Sequence, residues 1–290
     1  MAILPVRALV RLSLGRPGNP RTMDPASPAP LAVVTGASSG IGLELARQFA
    51  SNGFDLIVAA EDAEVVTVAR ELGTTGAQVE AVQVDLATDD GVDELFARIA
   101  AAGRPVDAVA LNAGIGAGGA FATETALEDE LRVIDLNVRS TVHLAKHVVA
   151  DMVERGEGRV LFTSSVAAGL PGSFHAVYNA SKSFVQSFAL ALREELDGTG
   201  VTVTTLMPGP TETEFFERAD MMDTPVGQSD TKDDAALVAE QGFEALMAGK
   251  ERAVAGSLST KLQNRGSRLI PDRIKSKMHR QMAEPQSGDS

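Results

Sequence analysis

From Leu31 onward the chain repeats one rhythm, a short apolar run followed by an amphipathic stretch. The runs are LAVVT (31–35), DLIVAA (55–60), AQVEAVQVD (77–85), VDAVALN (106–112), GRVLFTS (158–164), VTVTTLM (201–207) and RAVAGS (252–257). Between them lie segments such as GLELARQFASNG, GVDELFARIAAAG and SFVQSFALALREELDG, whose apolar residues recur at helical spacing. A long helix is predicted over about 124–154, and several helices stop at a glycine. Strands separated by helices predict a parallel sheet covered on both faces. Aromatic residues make up only 4% of the chain, so the core must come from Ala, Val, Leu and Ile, which suits close helix-on-sheet packing.

The rhythm begins after the Pro-rich SPAP and ends near Gly256, which predicts one domain over 31–256. Residues 1–30 read as a flexible extension: four arginines and no acid in the first twenty-two suggest a targeting peptide, but arginines break the apolar stretches and no small-residue cleavage site is clear. Met23 is an alternative start. Residues 257–290 form a basic tail, partly helical, expected to pack on the domain or on a partner subunit rather than on a membrane, with QSGDS frayed. A net charge of −13 argues against nucleic acid, which needs surplus Lys and Arg. No apolar run reaches transmembrane length, and a cytoplasmic location is expected. The absence of cysteine excludes disulfides, thiolate nucleophiles and Cys-ligated zinc. His143 and His147 stand one helical turn apart, but HLAKH lacks the glutamate of a metalloprotease helix, and no metal is expected.

Two stretches carry chemistry. VVTGASSGIG sets Gly36, Gly40 and Gly42, with Ser38, Ser39 and Ile41 between them, just after the first strand and at a helix start. Glycines let a pyrophosphate approach the backbone, and the helix N-terminus supplies free N–H groups and positive potential. The spacing is neither G-x-G-x-x-G nor that of a P-loop. YNASK holds the only tyrosine, Tyr178, four residues before Lys182 and so on the same helix face. A phenol is a poor acid–base group at neutral pH unless its anion is stabilised, and a lysine one turn away stabilises it.

TGASSGIG, LNAG (111–114), SS (164–165), YNASK (178–182) and PGPTET (208–213) occur in the order and spacing of the short-chain dehydrogenase/reductases, which the chain resembles over residues 31–256. The resemblance implies a Rossmann-like, doubly wound sheet of seven parallel strands, an NAD(H) or NADP(H) cofactor, and a homodimer or homotetramer. It implies a tetrad of Asn137, Ser165, Tyr178 and Lys182: Tyr178 as acid–base, its pKa lowered by Lys182 and by the oxidised nicotinamide; Lys182 on the nicotinamide ribose; Ser165 on the substrate oxygen; Asn137 holding a water behind Lys182. Ser164 is adjacent, but the thirteen-residue spacing to Tyr178 favours Ser165. Asp85 and Leu86 would bracket adenine, although Asp85 could equally cap the next helix. Asn112, Ala113 and Gly114 would admit the cofactor ribose, with Leu111 where the family usually has a further Asn. Pro208 and Gly209 would turn under the nicotinamide, and Thr211 and Thr213 would bond its carboxamide.

At the end of the second run, Ala60 takes the place of the acid of NAD users and Glu61 that of the arginine of NADP users. Ser39 likewise replaces a common base of NADP users. With two acids and no base in VAAED, the reading favours NAD(H) and leaves NADP(H) possible. The substrate cleft should be lined by 114–121, 167–177 and 215–229, which offer Phe121, Leu170, Phe174, Phe215, Phe216, Met221 and Met222. That predicts a small to medium apolar ketone, aldehyde or secondary alcohol as partner. A cofactor-binding sensor with little turnover is the alternative.

Overall fold

The computed structural model describes residues 28–257, 260 and 271–285. Seven parallel strands form one sheet: β1 Leu31–Thr35, β2 Asp55–Ala60, β3 Val79–Gln83, β4 Ala108–Leu111, β5 Gly158–Thr163, β6 Val201–Pro208 and β7 Arg252–Ala255. Their order is β3-β2-β1-β4-β5-β6-β7. Strand side chains alternate faces, and here both faces are apolar. Val33, Val109 and Phe162 point to one side, where they meet Leu95 of α3 (Asp89–Ala101), Leu144 of α5 (Thr141–Arg155) and Val185 of α6 (Ala176–Glu195). Val34, Val58 and Leu161 point to the other, against Phe49 of α1 (Gly40–Ser51), Val65 of α2 (Glu64–Gly73) and Phe243 of α8 (Ala235–Met247). The result is a single Rossmann-like domain of three layers.

The chain winds outward from β1 to β3 and then returns to place β4 on the other side of β1. Helices leaving β1 and β4 therefore diverge and open a crevice at the strands' C-terminal ends. The predicted 124–154 helix is divided: α4 (Leu127–Ile134), a π-helical turn over Asp135–Ser140, then α5. Side-chain hydroxyls occupy carbonyls inside that turn, Ser140 Oγ donating to Leu136 O and Thr141 Oγ1 to Asn137 O. Such bulges often mark functional sites. Gly156, at φ 75°, closes α5 as a left-handed cap.

A short helix α7 (Phe215–Arg218) follows β6, and a C-terminal helix (Asp272–Ala283) lies against the crevice mouth. The tail helix thus packs on the domain. The flexible extension expected over 1–30 lies outside the described residues apart from 28–30, as does QSGDS. No described helix is long and apolar enough to cross a membrane.

Candidate active site

One cavity of about 650 Å³ runs from the glycine loop to the C-terminal helix. Gly36, Ser38, Ser39, Gly40, Ile41 and Gly42 line its first end. Gly36 has φ 65°, a conformation that excludes most side chains, and a Cβ there would lie 2.9 Å from Ala113 Cα. A Cβ on Gly42 would collide with the Gly36 carbonyl and the Asn112 amide. No side chain caps the first turn of α1. A bare-backbone cradle at an uncapped helix start fits the pyrophosphate of a dinucleotide.

Asn112, Ala113 and Gly114 continue the wall. Thr35 Oγ1 accepts from the backbone N–H of both Asn112 and Ala113 at 3.0 Å, and Asn112 Oδ1 accepts from Thr163 Oγ1 at 3.0 Å. This ties β4 to β1 and β5 although Leu111 carries no polar group. A Cβ on Gly114 would sit 2.9 Å from Lys182 Nζ and 3.0 Å from Asn137 Oδ1, so the glycine leaves room for both. Asn137, inside the π-turn, accepts from Ile115 N at 2.9 Å and donates from Nδ2 to Ile115 O and Ser181 Oγ, each at 2.9 Å. Its side chain splints the loop after β4 to α6.

Tyr178, Lys182 and Ser165 meet midway along the cavity. Lys182 Nζ lies 5.9 Å from the Tyr178 ring centre and donates to Thr163 O at 3.1 Å. The two serines divide: Ser164 Oγ donates to Lys182 O at 2.9 Å, whereas Ser165 Oγ accepts from Ala167 N at 3.1 Å and acts on the Tyr178 phenol, lowering its pKa. Tyr178 is partly open to the cavity but enclosed elsewhere, with Phe215 at 5.1 Å and His175 at 6.0 Å between ring centres. That enclosure pushes its pKa up to about 12, and the neighbouring Ser165 hydroxyl draws it back only partly. Burial also pushes Lys182 down to about 8. The expected lowering of the phenol is therefore not a property of the polypeptide by itself, because desolvation of the anion outweighs the neighbours present.

Pro208, Gly209, Thr211 and Thr213 line the cavity beside the glycine loop. Thr211 Oγ1 donates to Gly209 O at 2.9 Å, and Thr213 Oγ1 accepts from Phe215 N at 3.3 Å, as a helix-capping threonine would. Glu61, Asp85 and Leu86 lie off the cavity wall. Leu86 is core, and Asp85 Oδ1 accepts from Ala87 N at 2.9 Å. Glu61 accepts from Arg132 of α4 through both oxygens at 3.0 Å, and Arg132 reaches Asp85 at 3.1 Å. Nearby, Arg218 of α7 donates to Asp62 at 3.0 Å and to Glu214 at 2.7 Å. A corner read as acids without a base thus holds two guanidinium groups brought from distant segments, though carboxylates still outnumber them.

At the far end the wall includes Leu170, Phe215, Phe216, Met221, Met278 and Met282. Phe121 and Met222, expected in the cleft, are exposed instead and are not part of the wall. Phe174 also leaves it: at φ 63° its ring lies under the Arg280 guanidinium, 5.6 Å away. Sequence reasoning missed His175 and His279, whose rings are 5.8 Å apart and buried. Burial, and secondarily His279, pushes His175 down to about 4. Only their place in loop and tail could have flagged them, and neither position carries a pattern. Elsewhere, donor atoms of Asp93, His143 and His147 lie within 4.8 Å of one another at the surface, but His147 stacks on Phe96 and His143 Nε2 pairs with Asp93 at 3.3 Å.

The short chain dehydrogenase family model matches residues 30–223. A serine 3-dehydrogenase of Agrobacterium fabrum is 34% identical over 184 residues, covering 63% of this chain and 72% of the relative. A short-chain dehydrogenase from Sphingobium yanoikuyae, solved with NADPH, superposes with a TM-score of 0.74 at 27% identity, covering 90% of this chain and 99% of that one. A Burkholderia phymatum member, solved with NAD, gives a TM-score of 0.72 at 25% identity over 82% and 92%.

Proposed function

This chain belongs to the short-chain dehydrogenase/reductase family of NAD(P)-dependent oxidoreductases, and from that premise we propose that it moves a hydride between a nicotinamide cofactor and a small to medium, largely apolar ketone, aldehyde or secondary alcohol. The observation that carries this reading is the meeting of Tyr178, Ser165 and Lys182 midway between a glycine cradle and an apolar chamber.

When bound, the cofactor supplies or accepts the hydride. The chain's own groups handle the proton and the positioning. The Tyr178 hydroxyl, protonated at neutral pH, gives its proton to the substrate oxygen in carbonyl reduction and takes one in alcohol oxidation. Ser165 Oγ holds that oxygen within reach. Lys182 steadies the nicotinamide ribose and, as a cation, favours the phenolate. Asn137 fixes the loop after β4 on which Lys182 and the ribose rest. Gly36 to Gly42 take the pyrophosphate and Asn112 to Gly114 the ribose. Adenine would extend past the cavity wall to Asp85 and Leu86, while Pro208, Gly209, Thr211 and Thr213 face the nicotinamide.

NAD(H) is the favoured form. The corner holding Glu61, Asp62, Asp85 and Glu214 keeps an excess of carboxylates over Arg132 and Arg218, which disfavours a further phosphate dianion. The catalytic unit is 31–256 together with the C-terminal helix. A homo-oligomer belongs to the same reading, supported by the exposed Leu127, Leu131 and Ile134 stripe on α4 and by exposed Phe184 on α6.

A panel of ketones and secondary alcohols, followed by NADH and NADPH absorbance, tests the proposal. Turnover with NADH above NADPH is expected. Stoichiometric cofactor binding with no turnover of any panel member would leave the sensor reading standing instead.

A further inference from the structure

The C-terminal helix lies beyond the family match, which ends at residue 223, yet it closes the substrate end of the cavity with Lys275, Met278, His279, Met282 and Ala283. It is not loosely apposed. His279 Nδ1 faces Ser173 O at 2.9 Å and must donate, while Nε2 faces the Asn179 amide nitrogen at 3.3 Å and must accept. A neutral imidazole in one tautomer meets both demands. Val226 N donates to Met282 O at 3.0 Å, and Ser276 bonds Ser173. The helix thereby also grips the loop that leads into Tyr178.

Fixed charges on the cavity wall are few. Glu214 and Arg218 pair with each other at the glycine-loop end, and Lys182 is bonded to Thr163 O beside Gly114. That leaves Lys275 at the substrate end, where the described wall is otherwise apolar or carries neutral polar groups. Its side chain is only 12% exposed, whereas its acidic partner Asp272, at 3.1 Å, is 78% exposed. Among the described residues it also donates to the Gly169 carbonyl at 3.5 Å. An exposed i, i+3 partner holds a lysine weakly, because water screens the pair. A ligand oxyanion reaching the same ammonium from inside an apolar chamber would be screened far less.

We propose that Lys275 is the specificity-determining residue of the substrate pocket, and that the substrate is a carbonyl compound, or the matching alcohol, with an apolar body and an anionic group such as a carboxylate at its far end. The proposal rests on the oxidoreductase reading, and refines it by adding one anion to an otherwise apolar substrate.

The test uses the full chain with acetoacetate, levulinate and longer keto acids, each beside its methyl ester, in wild type, Lys275→Met and Lys275→Arg. Methionine keeps the stem and removes the charge. Wild type should favour the acids through KM; Lys275→Met should raise KM for the acids by about 10–100-fold, the worth of one charge-assisted bond, with the esters and kcat little changed. Lys275→Arg should restore part of the preference. Calorimetric titration of the NAD-saturated protein with the same acids reads binding apart from turnover. Equal binding of acids by wild type and Lys275→Met, no binding of any acid, or a wild-type preference for esters would overturn the proposal. Charge-dependent binding with no turnover would support Lys275 and sink the oxidoreductase reading alone.

Discussion

At the glycine-loop end the cavity wall is largely backbone. Gly36, Gly42 and Gly114 have no room for a Cβ, and the polar groups that count are peptide N–H groups and a helix start. At the opposite end the wall is side chain, with Leu170, Phe215, Met221 and Met282 arriving from three separate segments. The contrast teaches how each end can change. A wall of the first kind tolerates almost no substitution, because a carbon added at Gly36 or Gly42 meets main-chain atoms that cannot move, and one at Gly114 meets the Lys182 and Asn137 side chains. A wall of side chains on loops and a terminal helix can be re-lined one residue at a time, so one scaffold can serve many substrates.

The seam between the two ends gives the largest effect. Tyr178→Phe removes only a hydroxyl, and turnover should fall by about 10²–10⁴-fold while NADH affinity stays unchanged. A matching loss of NADH affinity would mean that the two ends cannot be separated. Next comes acid sensitivity, which should enter at the substrate end. His175 has a folded pKa of about 4 against an ordinary value of 6.5, so the unfolded chain binds the proton more readily. The stability tied to its neutral ring is complete above pH 6.5 and is lost as pH falls through about 4, a change of about 3 kcal/mol. Denaturant melts across that window should show the slope, and His175→Gln should flatten it. Hydrogen exchange should loosen the C-terminal helix before α1; the reverse order would break the contrast. The smallest effect belongs to the cofactor corner. Glu61→Arg should move the NADH-to-NADPH ratio of kcat/KM toward NADPH by about tenfold. Wild type that already prefers NADPH would contradict the charge argument.

The same contrast explains what could be read from the sequence. A parallel sheet needs apolar strands at helix-length intervals, and a backbone cradle needs glycine at fixed offsets, so both leave patterns. All seven strands lie within the predicted runs to within a few residues, the largest trims falling where β3 and β4 leave the ladder. The division of the long helix at Asn137 was hidden, because a π-turn adds a residue without changing composition. Arg132 and Arg218 were hidden for a different reason. Each meets an acid far away in sequence, 71 residues for Glu61 and 156 for Asp62, and no spacing rule spans such gaps. His279, 106 residues from Ser173, escaped in the same way.

The chain has no tryptophan, and its single tyrosine stands between Phe215 and His175 inside the cavity. Optically the protein is therefore a dark box with one lamp at its centre. Near-ultraviolet circular dichroism and tyrosinate difference absorbance will report Tyr178 directly, without background from other tyrosines or from indoles. Reduced nicotinamide can be followed by its own emission with no tryptophan to transfer energy to it, so occupancy of the site and ionisation of its phenol can be watched in the same cuvette without a label.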